Sequence, residues 1–137
     1  MEEDEFRDHL VHDLESKGIN VVNLRRGTFD LIVEGTRPFT CEVKQIAEGG
    51  LRGFKEDEEG FAFSSEQTKE ILKIKFPPFV VAYHGNDFYF LDPEWVKREV
   101  TDLKEFERAI MYFSVRPFPR PQTYDELLSA IVRFVTR

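Results

Sequence analysis

The stretch "TFDLIVEGTRPFTCEVKQI", residues 28–46, decides how the rest of the chain is read. Two apolar runs, "LIV" and "FTCEV", read as strands of one sheet joined by a short turn around Gly35 and Pro38. Asp30 heads the first run, while Glu42 and Lys44 lie inside the second. Side chains alternate along a strand, so Phe39, Cys41 and Val43 share one face and Thr40, Glu42 and Lys44 the other. Burying an ionised group is expensive unless something pairs it. Two carboxylates brought together by strand pairing repel each other unless a divalent cation neutralises them. Carboxylates with a backbone carbonyl and water suit Mg²⁺, and an adjacent lysine can hold a water or an anionic oxygen. Such a set fits phosphodiester hydrolysis. The plain alternative is a solvent-facing strand edge with a Glu–Lys pair and a turn-starting Asp.

Outward from this hairpin, the chain reads as one α/β domain. Upstream, "DEFRDHLVHDLESKG" spaces Phe6, Leu10, Val11 and Leu14 on one helical face, with Gly18 placed as a left-handed cap. "INVVNL" follows as a strand and "RRGT" as a turn. Downstream, residues 47–61 are rich in Gly and charge and read as a loop. Ser64 or Ser65 can cap a second helix, "EQTKEILKIK", and Ser64 with Gln67 has capping-box spacing. "FVVAY" and "DFYFL" make a hairpin across "HGN". "PEWVKREV" and "DLKEFERAIMYF" read as helical, "VRPFPRPQ" as extended, and Thr123 as the cap of a final helix through Val135. The expected order is a core over about 5–92 followed by a helical tail over about 93–137.

The chain has 137 residues, 41% apolar and 14% aromatic, which suits a folded globule rather than a disordered chain. Its single cysteine excludes an intrachain disulfide and a cysteine zinc cluster, and suits a reducing compartment. The acidic start is unlike a secretory signal, and "FPPFVVAY" is too short to span a bilayer. A soluble, cytoplasmic protein is expected. The net charge of −7 is concentrated in residues 1–18, with seven acids and two bases, and in "KEDEE" at 55–59. A locally basic face elsewhere stays open, so net charge does not decide the partner.

With Asp30, Glu42 and Lys44 in this setting, the sequence resembles the PD-(D/E)XK nuclease superfamily, most closely archaeal Holliday junction resolvases. The resemblance is carried by "HLVHDLESKGINVV", "TFDLIV", "TCEVKQ" and "SSEQTKEIL", and "FVVAYHGNDFYFL" is similar to the hairpin that follows in resolvases. It implies a restriction-endonuclease-like αβββαβ core with a mixed sheet. It also implies a metal-dependent endonuclease acting on structured or branched DNA, and a homodimer. Asp30, Glu42 and the Val43 carbonyl would hold Mg²⁺ or Mn²⁺, Lys44 would position the attacking water, and Ser64 and Gln67 would stand near the site. Two positions depart from the pattern. Phe29 stands where a proline often precedes the aspartate, and Arg7 falls where the first helix usually has a glutamate. Glu5 and Asp8 are the nearby carboxylates, and Glu5, nearer the helix start where the dipole favours a negative charge, is the expected substitute. A rival expectation is a catalytically inactive binding module for nucleic acid or protein.

Other candidates have ordinary alternatives. Arg25 and Arg26, just before Asp30, can touch phosphates or simply form an exposed turn. Lys69 and Lys73, one helical turn apart, can extend a basic surface or belong to a solvated helix face. Arg52, Phe54, Lys55 and Phe61 resemble in place a loop that resolvases lay on DNA, and the phenylalanines can equally anchor that segment to the core. His9 and His12 lack partners for a metal site. Arg116, Phe118 and Arg120 suit a partner groove or a segment wrapped on the domain. Leu127, Leu128, Ile131 and Val135 form a stripe for core or dimer contact.

Overall fold

The computed structural model describes residues 1–48, 59–103, 110–114 and 119–137. Helix α1 (Glu3–Ser16) buries Phe6, Leu10 and Leu14, the one-face spacing of its sequence, and begins with Glu3, Asp4 and Glu5 at the end where the helix dipole favours negative charge. Gly18 ends it at φ 84°, a left-handed conformation open to glycine.

Strands β1 (Asn20–Asn23), β2 (Leu31–Glu34) and β3 (Pro38–Gln45) then run as an antiparallel meander. β3 next pairs in parallel with β6 (Phe79–His84), which turns through Gly85 into β7 (Asp87–Leu91). The sheet order is β1-β2-β3-β6-β7, and its one parallel pair requires a crossover. Helix α2 (Ser65–Lys73) supplies it, opened by a complete capping box between Ser64 and Gln67. This is the αβββαβ order and mixed sheet expected of a restriction-endonuclease-like core.

Two expectations fail here. Residues 47–61 do not form a loop throughout: β4 (Ala47–Glu48) and β5 (Glu59–Ser64) are strands, while 49–58 lie outside the described residues. The "DLKEFERAIMYF" helix is also overturned. Helix α3 (Pro93–Leu103) ends within it, and Ile110–Ser114 is strand β8, paired antiparallel with β5 to complete a second sheet, β4-β5-β8. The residues "IMYF" favour pleated structure once a partner strand exists, and β5 is that partner.

Packing arranges these elements in layers. On one face of the five-stranded sheet, Phe39, Cys41, Val43 and Phe79 meet Phe6, Leu10 and Leu14 of α1 and Leu127, Leu128, Ile131 and Val135 of α4 (Tyr124–Thr136). Helix α4, capped by Thr123 and Glu126, is therefore core-forming. On the other face, Val80, Ala82 and Leu91 pack with Ile71, Trp95, Val96, Val100, Phe61 and Phe63. Phe61 is thus a core anchor, not an exposed stacking residue. Cys41 is fully buried between Leu31 of β2 and Phe79 of β6.

Two polar devices fix the helix ends. The Lys97 ammonium donates to the carbonyls of Ile71 and Leu72 at 2.8 and 2.7 Å, closing the end of α2 from α3. In the β2–β3 turn, Thr36 donates its backbone N–H to the Val135 carbonyl at 2.7 Å. Gly35 lies so close that an added Cβ would meet the Val135 carbonyl oxygen at 1.8 Å. Among the described residues, no helix is long and apolar enough to cross a membrane.

Candidate active site

Strand alternation puts Glu42 and Lys44 on the α2 side of the sheet, away from Cys41 and Val43. Glu42 is 3% exposed, which overturns the reading of this strand face as open to solvent. Asp30 precedes β2 and turns its carboxylate across to β3, where Oδ2 accepts from the Val43 N–H at 2.9 Å. In return, the Asp30 backbone N–H donates to Glu42 Oε1 at 3.1 Å. The two acids are locked together by reciprocal main-chain bonds. Lys44 Nζ pairs with Glu42 Oε2 at 3.3 Å and stands 5.2 Å from the centre of the Phe63 ring.

Gln67 joins these groups to α2. Its Oε1 accepts from Lys44 Nζ at 3.1 Å and from the Ser64 N–H at 3.2 Å. Its Nε2 donates to the Thr28 carbonyl at 2.9 Å and to Glu42 Oε2. Both acceptor sites and both donor hydrogens of the amide are in use, so its orientation is fixed from four directions. The capping box that starts α2 thereby also aims the lysine.

Burial first, then the hydrogen-bonding contact with the Asp30 carboxyl, pushes the Glu42 carboxyl up to about 8; the Lys44 ammonium pulls in the opposite direction. A buried Glu42 whose negative charge is this disfavoured, beside a second carboxylate, is a chemical fit for a hard divalent cation. Among the described residues, no group of three or more His, Cys, Asp or Glu gathers to hold a metal, and His9 and His12 are exposed.

The first helix reaches the cluster differently from expectation. Glu5, the expected substitute, and Asp8 are both exposed. Glu3 faces the site instead: one oxygen accepts from the Gln45 N–H at 3.2 Å. Burial raises the Glu3 carboxyl above its ordinary value, opposed by the Gln45 hydrogen bond and by Lys44, with Asp30 adding to the rise. Arg7, one turn further on, reaches Asp30 Oδ1 at 3.4 Å and Asp4 at 3.0 Å. Counting back four residues from Arg7 would have found Glu3, since i and i+4 share a helix face.

Sequence reasoning also missed Thr28, whose hydroxyl donates to Glu66 at 3.1 Å, and Phe63. Arg25, Arg26, Lys69 and Lys73 are exposed. Arg52, Phe54, Lys55, Arg116 and Phe118 lie outside the described residues, and Arg120 is exposed.

No protein-family model matches the sequence, and no curated protein matches it. Among solved structures, the chain is similar to a bacterial homing endonuclease, I-Ssp6803I, at 15% sequence identity and a TM-score of 0.48, over 97% of this chain and 90% of that one.

Proposed function

We propose that this protein is a metal-dependent endonuclease that hydrolyses phosphodiester bonds in structured or branched DNA, in the manner of a Holliday junction resolvase. The observation that carries the reading is the joining of Glu42 to Lys44 by the Gln67 amide and to Asp30 by the reciprocal main-chain bonds of Asp30 and Val43. Asp30, Glu42 and the Val43 carbonyl would hold Mg²⁺ or Mn²⁺, with water completing the shell. Bound there, the cation would supply Lewis acidity and neutralise charge at the phosphate.

The chain's own groups do the rest. Lys44, its ammonium held by Gln67 and Glu42, orients the attacking water or a phosphate oxygen. Glu42 and Asp30 keep each other's oxygens turned inward through the Asp30 and Val43 N–H groups. Ser64 fixes Gln67, while Arg25, Arg26 and Lys69 offer positive charge beside the site for the DNA backbone. A homodimer suits two symmetric cuts in a junction and belongs to the same proposal.

The test is cleavage of a four-way junction and a panel of other DNA shapes with Mg²⁺. Asp30→Asn and Lys44→Ala should each lower the rate at least about 100-fold, the scale expected when a group acting on the nucleophile is lost. Cleavage by both at the wild-type rate would overturn the assignment.

One observation favours a second reading. Arg7 pairs with Asp30, so a cation already sits on one of the two acids. A binding module without catalysis would keep that pair. It predicts tight DNA binding by the wild type with no cutting in either Mg²⁺ or Mn²⁺.

A further inference from the structure

Away from the catalytic cluster, a cleft of about 740 Å³ opens between the β2–β3 turn, the α2–β6 connection, the start of α3 and the end of α4. Five of its lining residues are Lys or Arg and two are acids, in a chain whose net charge is −7. Lys97 is turned inward onto α2 carbonyls, and Asp92 accepts from the Trp95 N–H at 2.8 Å as the cap of α3. That leaves Arg37, Lys75, Arg98 and Arg137 as the cations of the mouth. The Arg37 guanidinium lies 4.1 Å from the centre of the Phe39 ring and 4.4 Å from that of Phe76, and one of its nitrogens donates to the Pro38 carbonyl at 3.4 Å. Phe76 is 54% exposed, an aromatic ring kept at the surface with the Arg37 guanidinium 4.4 Å and the Lys75 ammonium 5.5 Å from its centre.

A second groove continues from this cleft toward the catalytic cluster. Shallower, at about 410 Å³, it shares Lys75 and Phe76 with the cleft and runs to Thr28, Phe29 and Thr40. Thr28 gives its carbonyl to Gln67, and Thr40 stands two residues before Glu42 on the same strand face. A track thus leads from Thr28 and Thr40 past Glu70, Lys75 and Phe76 to the basic mouth between α3 and α4.

We infer that this track binds a single strand of nucleic acid, with Phe76 stacking on a base and Lys75, Arg98 and Arg137 meeting phosphates. An exposed ring can stack only on a base that is itself unstacked, which selects a single strand over a closed duplex. Arg37 and Lys75 at the Phe76 ring, with Arg98 and Arg137 lining the same cleft, match a phosphate chain with bases attached. The link between the track and strand cleavage rests on the nuclease reading above. Binding itself does not, so the two are separable.

The experiment uses the full chain carrying Asp30→Asn and follows fluorescence anisotropy of a labelled single-stranded DNA of about 12 nucleotides, within the usual range for one such groove. Adding Phe76→Ala should weaken binding about tenfold. Adding Lys75→Glu with Arg98→Glu should weaken it further and flatten the dependence of affinity on salt, as lost phosphate contacts require. Thermal melts confirm that each variant folds. Parental affinity in both variants overturns the proposal, as does equal weakening for a poly-glutamate competitor or a loss confined to duplex DNA. If the variants bind like their parent while wild type cuts branched DNA, the track is wrong and the nuclease reading stands. If they lose the single strand while wild type cuts nothing, the track stands and the nuclease reading falls.

Discussion

Arg7 and Asp30 lie 3.4 Å apart, tying the carboxylate at the head of β2 to the first helix. The same guanidinium holds Asp4 at 3.0 Å, yet its Nε is buried with no partner of its own. A cation binding at Asp30 would have to compete with this arginine or tolerate it.

Replacing Arg7 by Gln should therefore tighten Mn²⁺ binding. A single positive charge near 4 Å costs a bound divalent cation on the order of 2 kcal/mol in a wet site, so roughly thirtyfold tighter binding is expected. Titration calorimetry measures it directly. Unchanged or weaker affinity would show that Arg7 supports the acid pair instead.

Glu3 and Glu5 separate cleanly in a parallel measurement. Glu3 accepts from the Gln45 N–H beside Lys44, whereas Glu5 is exposed. Glu3→Gln should alter Mn²⁺ affinity severalfold, and Glu5→Gln should leave it within error. The reverse result would restore Glu5.

Glu42 makes stability depend on pH in the metal-free protein. Its folded value is about 8, against 4.5 for an ordinary carboxyl. Between those values the folded chain keeps a proton that the unfolded chain has released, so stability falls as pH rises through this window and levels off above it. Glu42→Gln, which cannot titrate, should remove that slope. Urea titrations in chelator from pH 5 to 8.5 check both curves (a range chosen to span the window of Glu42). Parallel curves for the two proteins would contradict the burial of a protonated Glu42.

Gly35→Ala should destabilise the fold. The new methyl would meet the Val135 carbonyl oxygen at 1.8 Å, and that oxygen is already held by Thr36. Either the turn or the end of α4 has to move, at a cost of about 2 kcal/mol or more. A melting temperature equal to wild type would rule out so close an approach.

Local signals made most of the core legible. Gly18, the Ser64–Gln67 and Thr123–Glu126 boxes and the "HGN" turn each act within a few residues, and each appears where its chemistry puts it. β8 was not legible, because its partner β5 lies about fifty residues earlier and no local pattern announces such a pairing. Strand alternation put Glu42 and Lys44 on one face, and the resemblance to the nuclease superfamily added Asp30 to them. The burial of Glu42 did not, since it depends on α2 and the small sheet closing over that strand face. Glu3 was not legible from the immediate neighbours of Arg7, because it reaches the Gln45 N–H from one helical turn away.

Cys41, the chain's one cysteine, sits in the strand that carries Glu42 and Lys44, fully enclosed by its neighbours. Burial, then the nearby Glu42 and Asp30 carboxylates, holds its thiol protonated well above the usual range. Thiol reagents attack the exposed thiolate, so the closed molecule offers them nothing to react with. Each labelling event then marks a moment when β3 has left its neighbours. Every copy of the protein carries its own chemical stopwatch on the strand that matters most, ready to time how long a bound metal or nucleic acid keeps that strand shut.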